Sequence, residues 1–346
     1  MSSTDPSAPS PRPTVVASIA GAWSRLLGFA SRPHFLTGAS VFRIVAGLAF
    51  LYQLLVVYAQ RRYLFGPDGV YPYDLFLDQL DAGSFSLYAL SRSLVGFEVL
   101  YHATIALAVA WLVGWRTRLT TPLLWIAIWS LRERNPFLWD GGDNVMQLAL
   151  IFACFAQVGG RFSFDATRRE LAGAGPMSPL AAMAHNAGVL ACAMQICLVY
   201  GVAGLLKVQG ESWQNGTALY YALRGGEFTW PGYSEWIFEN GPLLALLSYS
   251  TVAFQVSFTF LLFLGRRLRV AAVLAGLSFH IGIIVFMSLT TFGAFMMAVD
   301  LMFVTDAEYA ALGRRVAGVR RRVASLATDV VRRVPRPALR RIRHRA

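Results

Sequence analysis

The sequence predicts an all-α fold, a polytopic membrane helix bundle of about eight spans (six to eight) with both termini cytoplasmic. Three observations carry that prediction. Hydrophobic residues make up 56% of the 346-residue chain and charged residues only 14%, a balance foreign to soluble domains. Several apolar segments approach the ~20 residues needed to cross a hydrocarbon core. The formal charge of +12 sits in short loops and in a C-terminal arginine tail. That distribution orients a membrane protein and argues against nucleic acid as a partner.

The elements follow in order. Residues 1–35 read as a tail with a short interfacial segment. Residues 1–20 are rich in Ser and Pro and carry only Asp5 and Arg12, so they read as disordered and not as a cleavable signal. The stretch from Trp23 to Phe35 suits the membrane surface. Residues 36–305 hold the spans. Span one runs from about Gly38 to Tyr58 and is followed by turn chemistry at Gly66-Pro-Asp-Gly69 and Tyr71-Pro-Tyr73. Span two covers about Ser93 to Val113, and Gly114-Trp-Arg-Thr-Arg118 makes a basic turn. Spans three (Leu119 to Leu131) and four (Val145 to Val158) are short, and Arg132 to Asn144 forms a polar hairpin between them. Span five covers Ala184 to Leu206. Spans six (Pro242 to Leu264), seven (Leu268 to Met287) and eight (Thr290 to Val304) follow.

Loop charges set the orientation. With the N-terminus inside, Arg116/Arg118, Arg161/Arg168/Arg169, Arg266/Arg267/Arg269 and the tail arginines all face the cytoplasm. The other loops are acidic and aromatic, which places Lys207 outside and predicts a multi-pass protein of the cell membrane. In residues 306–346, Leu312, Val316, Val319, Val323, Leu326 and Val330 share one helix face, and arginines fill the other until Pro335 and Pro337. This is the pattern of an amphipathic cytoplasmic helix on an anionic leaflet, with membrane lipid as its partner.

A few residues carry candidate chemistry. Lys207, at the end of span five, is the only lysine in the chain. An amine at a desolvated interface can act as a general base; the structural alternative is a snorkelling residue that ends a helix. His102, His280 and Asp300 lie within spans, where ionisable groups are costly and mark functional cavities. Asp300 and His280, on consecutive antiparallel spans, fall at comparable depth. The hairpin offers Arg134, Asn135, Asp140 and Asp143 as pocket candidates, with an N-cap at span four as the structural alternative. Cys154, Cys192 and Cys197 all lie in apolar segments and read as core residues, and no metal site is predicted.

Several of these stretches resemble one family. They are Phe42-Arg-Ile44, Gly114-Trp-Arg-Thr-Arg-Leu119, Arg134-Asn-Pro136 with Gly141-Gly-Asp143, Ala203-Gly-Leu-Leu-Lys207 with Trp213 and Asn215-Gly216, and Phe279-His280. In order and spacing they look like the HTTM (horizontally transferred transmembrane) domain, shared by vitamin K-dependent gamma-carboxylase and bacterial membrane proteins. The resemblance covers about residues 36–305. In the carboxylase, the lysine of a Tyr-x-x-Ala-Gly-x-x-Lys pattern deprotonates reduced vitamin K. The match at Tyr200 to Lys207 implies that role for Lys207, with a reduced menaquinone as the bacterial cofactor.

Trp139-Asp-Gly-Gly-Asp-Asn144 stands where the carboxylase has a Trp-Asn-Asn-His element, and it holds no histidine. A large lumenal substrate domain is also not expected, which argues against gamma-glutamyl carboxylation. Two expectations result. One is a lipid-quinol-dependent enzyme with Lys207 as base and Arg134, Asp143 and His280 lining its pocket. The other is a non-catalytic accessory for maturation or export of a secreted peptide or protein.

Overall fold

Each apolar run between turn signals folds as a helix, and no strand occurs among the described residues. The computed structural model describes residues 15–225, 231–232 and 234–333. Ten helices longer than ten residues lie among them: α1 (Val15–Ala30), α2 (Leu36–Val56), α3 (Leu94–Leu112), α4 (Thr117–Arg134), α5 (Gly141–Ala153), α6 (Pro179–Gln209), α7 (Gly241–Leu261), α8 (Arg266–Met287), α9 (Thr290–Met302) and α10 (Asp306–Arg333).

Helices α2 to α9 correspond in order to the eight predicted spans, but not all can cross a bilayer alone. Five are long and apolar enough: α2, α3, α6, α7 and α8. A sixth arises only if α9 and α10, bent by 107° at their junction, are taken as one. Against the expected six to eight spans, five or six helices are candidates by length and apolarity. Arg118, Arg132, Glu133 and Arg134 all lie within the 18 residues of α4. Helices α5 and α9 have 13 residues each, about 20 Å of rise against a core of about 30 Å. Helix α9 is interior, lying along α2 and against α8, α5 and α6, whereas α5 lies against α4, α6 and α9 but leaves Leu148 and Ile151 exposed on its outer face. A short helix covered by longer neighbours, as α9 is, does not need to reach both interfaces.

A second difference lies in the N-terminal tail. The Ser/Pro-rich stretch stops at Pro13, and residues 15–20, expected to be disordered, open the helix Val15–Ala30. Without proline, the run from Val15 has nothing to prevent helix formation. Its Trp23, Leu26 and Phe29 are exposed. Residues 1–14 and the prolines Pro335 and Pro337 lie outside the described residues.

The bundle end opposite Lys207 is held by buried polar anchors. Arg43 is fully buried, and its guanidinium donates to the carbonyls of Val158 (3.0 Å), Trp111 (3.0 Å), Phe162 (2.6 Å) and Leu112. Asp306, the first residue of α10, caps α2 by accepting from Thr37 N at 2.7 Å and from Leu36 N. Gly38 brings α2 against the last turn of α9, where a Cβ would lie 2.1 Å from the Met302 carbonyl oxygen.

Thr305 and Glu308 form a reciprocal cap at the start of α10. Glu308 accepts from Thr305 N at 2.9 Å, and Thr305 Oγ1 accepts from Glu308 N. Glu308 also binds Arg269 at 2.9 Å and Arg266 at 3.2 Å, tying α10 to α8. Burial opposes ionisation of Glu308, but the Thr305 bonds and the Arg269 charge outweigh it and hold the carboxyl below its ordinary value. A depressed acid pKa stabilises the fold above the ordinary glutamate value, and that contribution is lost as pH falls through the folded value. Mild acid should therefore release α10 to proteolysis, and Glu308→Gln should be released already at neutral pH. Equal protease resistance of wild type at pH 7 and pH 3.5 would refute this.

Candidate functional site

The Lys207 end of α6 presents Tyr200, Ala203, Gly204 and Lys207 on one side, because residues three, four and seven apart share a helix face. Outward neighbours Val202, Leu205 and Leu206 are exposed, whereas Tyr200 and Gly204 are buried. Gly204 lets α6 approach α7 closely: a Cβ there would lie 2.9 Å from the Val256 side chain and 3.0 Å from its backbone nitrogen. Lys207 is half-buried. Its Nζ points back to the Ala203 carbonyl oxygen at 3.5 Å and lies 5.2 Å from the centre of the Trp213 ring. The short helix Glu211–Gln214, which carries Trp213, folds back directly after Gly210. Among the described residues, no carboxylate lies within ion-pair distance of this amine.

One heptad deeper on the same face, Tyr200 joins His280 and Asp300. The phenol oxygen lies 2.8 Å from His280 Nε2 and 2.9 Å from Asp300 Oδ2. All three side chains are fully buried, one each from α6, α8 and α9. The expected meeting of His280 and Asp300 is thus made through a phenol. Gly276 on α8 makes room for the carboxylate, since a Cβ there would lie 2.4 Å from Oδ2. His280 Nδ1 and Asp300 Oδ1 have no hydrogen-bond partner among the described residues.

Proton counting defines what this cluster can do. If the phenol donates to an Asp300 carboxylate, then His280 Nε2 must donate to the phenol. If Nε2 accepts from the phenol, then Asp300 must carry a proton and donate to it. The two arrangements interconvert by a concerted shift of two protons through Tyr200 only when His280 begins as the imidazolium; with a neutral His280 they differ by a change of tautomer and one added proton on Asp300.

An apolar cavity of about 370 Å³ lies between α7 and α8. Leu219, Ile237, Phe254, Phe279 and Phe286 line it, with Ser250, Thr251 and Ser278 as its polar points. Phe254 stands between cavity and cluster: its ring centre is 5.2 Å from that of Tyr200 and 5.3 Å from that of Phe279. Neither Lys207 nor His280 lines the cavity.

The hairpin candidates are placed in structural roles. Arg134 is buried and donates to the Gly66 carbonyl at 2.5 Å, its guanidinium 5.1 Å from the Phe76 ring centre. Asn135 donates to the Leu64 carbonyl at 2.8 Å and caps the turn at Pro136–Leu138. Asp140 and Asp143 form a capping box at the start of α5, and Asp143 also accepts from Gln53 at 2.8 Å. No hydrogen bond, ion pair or ring contact among the described residues joins these four to Lys207 or His280. His102 is exposed and bonds Tyr58 at 2.9 Å.

The HTTM domain family matches residues 37–307, most of the chain. The chain belongs to that family. Taken with its long apolar helices, this makes it a multi-pass integral membrane protein in contact with lipid. Comparison with curated proteins and with solved structures returns no match. In this HTTM protein, sequence reasoning missed Tyr200 as the bridge. Its signal was present, because a heptad spacing to Lys207 places both residues on the same face of α6. Gln53, the partner of Asp143, carried no such signal, being a lone amide in an apolar run.

Proposed function

We propose that this HTTM protein is a membrane-embedded enzyme that works with a lipid-soluble quinol and uses Lys207 as the base. The observation that carries the reading is the half-buried amine of Lys207, within ion-pair distance of no carboxylate among the described residues and set against the Trp213 ring. A lysine held by an ion pair stays charged and is a poor base; this one has no such partner among the described residues. Accepting a proton from a hydroxyl would make Nζ an ammonium, which the Ala203 carbonyl and the indole face can both stabilise. The cavity between α7 and α8, which Lys207 does not line, fits the apolar tail of a quinol rather than its hydroxyl, and its volume lies in the range of small-molecule sites. A bound quinol would supply the acidic hydroxyl and the reducing electrons. Both termini lie in the cytoplasm in this reading and Lys207 faces out, in the cell membrane, consistent with the arginine-rich short loops.

Lys207→Ala is expected to lower activity by roughly 10²- to 10⁴-fold in a deletion strain complemented by the gene. Full activity of Lys207→Arg would exclude the base role, because a guanidinium does not give up its proton. Extraction of lipids from the purified protein should give a quinone at stoichiometric level by mass spectrometry, and its absence would count against the whole reading.

One observation favours a second reading, a non-catalytic accessory for maturation or export of a secreted peptide or protein. Asp140 and Asp143 stand where the related carboxylase carries its histidine element, and here they cap a helix. Co-purification of a neighbouring gene product, unchanged by Lys207→Ala, would support that reading against the enzyme.

A further inference from the structure

We infer that the surface cavity bounded by Arg116, Arg118, Arg168 and Arg169 is a binding site for the phosphate headgroup of an anionic membrane lipid. The cavity measures about 440 Å³, and Leu119 and Asp165 complete its lining. It forms where the start of α4 meets the short helix Phe164–Leu171. Asp165 makes that junction: it accepts from Arg116 N at 2.9 Å, Thr117 N at 2.7 Å and Thr117 Oγ1 at 2.8 Å. Both carboxylate oxygens are thereby committed to capping α4.

The guanidinium groups are left short of anions. Arg168 reaches Asp165 only at 3.8 Å, in a pair whose arginine is 69% exposed, an arrangement that contributes little. Arg169 donates to the neutral Gln157 Oε1 at 3.2 Å. Arg116 and Arg118 enter no ion pair among the described residues. Four cations thus face one cavity with a single carboxylate, which is already occupied. Planar guanidinium forks match the oxygens of a phosphate in pairs.

The setting selects a lipid over a dissolved anion. Trp115, Phe162 and Phe164 are 47%, 66% and 63% exposed and flank the arginines, as does exposed Leu119. The Arg116 guanidinium lies 5.1 Å from the Trp115 ring centre. Exposed amphipathic aromatics beside arginines mark headgroup depth. The membrane-crossing helix α3 ends at Leu112, only four residues before Arg116. A phosphate held there would leave its acyl chains beside the apolar surface of the bundle.

Native mass spectrometry of the full chain, purified in a neutral detergent, tests the assignment. The chain is titrated with phosphatidylglycerol, phosphatidylcholine or inorganic phosphate. Phosphatidylglycerol should bind in preference to phosphatidylcholine, and R116Q/R118Q should weaken it by roughly tenfold or more. The control R92Q, at the other end of α3 where Arg92 pairs with Asp74, should bind as wild type. Should R116Q/R118Q fail to fold, R118Q/R168Q removes two exposed side chains with the same expected loss. Unchanged phosphatidylglycerol affinity in these cavity variants would overturn the inference. So would equal binding of phosphatidylcholine, an equal loss in the R92Q control, or displacement of the lipid by equimolar inorganic phosphate.

Discussion

Arg43→Met is expected to destabilise the fold by about 3–5 kcal/mol. Arg43 is a cation with no carboxylate bonded to it, fully buried in a membrane bundle, and its environment is made of carbonyl groups. Its guanidinium accounts for four of them: Trp111 and Leu112 at the end of α3, and Val158 and Phe162 in the loop before the short helix at Phe164. The last carbonyls of a helix have no partner within it and carry the negative end of the helix dipole, so a buried cation at that point is stabilised twice. Methionine keeps the aliphatic stem and its packing but removes the guanidinium donor from the Leu112, Val158 and Phe162 carbonyls, while Trp111 keeps Gly114 N at 2.9 Å. Each orphaned buried carbonyl costs about 1–3 kcal/mol, so a total loss of about 3–5 kcal/mol is expected. That is a large share of the 5–15 kcal/mol that holds a typical domain together. Arg43→Lys should recover little of it, because one ammonium cannot reach both α3 and the loop. Thermal unfolding in detergent is the measurement. A midpoint for Arg43→Met within a degree of wild type would show that the carbonyls find other donors.

Tyr200→Phe should lower stability by about 2–3 kcal/mol, the scale of leaving buried polar groups unpaired. The ring would still sit against Phe254 and Phe258, so the loss isolates the hydroxyl. Without it, the only hydrogen bonds of the His280 and Asp300 side chains among the described residues disappear. Gly276→Ala should give a similar loss by another route, because its Cβ would displace Asp300 Oδ2 from the phenol. If both act on this cluster, the double variant will lose less than the sum of the singles. Additive losses, or a Tyr200→Phe variant as stable as wild type, would show that the three side chains are not coupled.

The helical character of α2 to α9 was legible because period and apolarity report on local structure. So was the Thr305-x-x-Glu308 cap, whose residues satisfy backbone groups within one turn. The membrane class was equally plain from composition. The number of crossings was not, because hydropathy shows that α5 and α9 are apolar but not whether lipid or protein surrounds them. Nor were the roles of the hairpin residues. Arg134 and Asn135 look available for chemistry in the sequence, yet each is bonded to the 64–66 loop some seventy positions earlier.

By itself, then, the sequence determined an all-α membrane protein of the HTTM family, with Lys207 as its one amine at the end of a long apolar helix. The reason is that lipid solvation and helix periodicity act on contiguous residues. Only the tertiary structure decided that Tyr200 bridges His280 and Asp300, that Lys207 meets Trp213, and that Arg43 holds α3 to the following loop. Those contacts join residues up to 119 positions apart. They depend on which helices become neighbours, a property that no local pattern along the chain encodes.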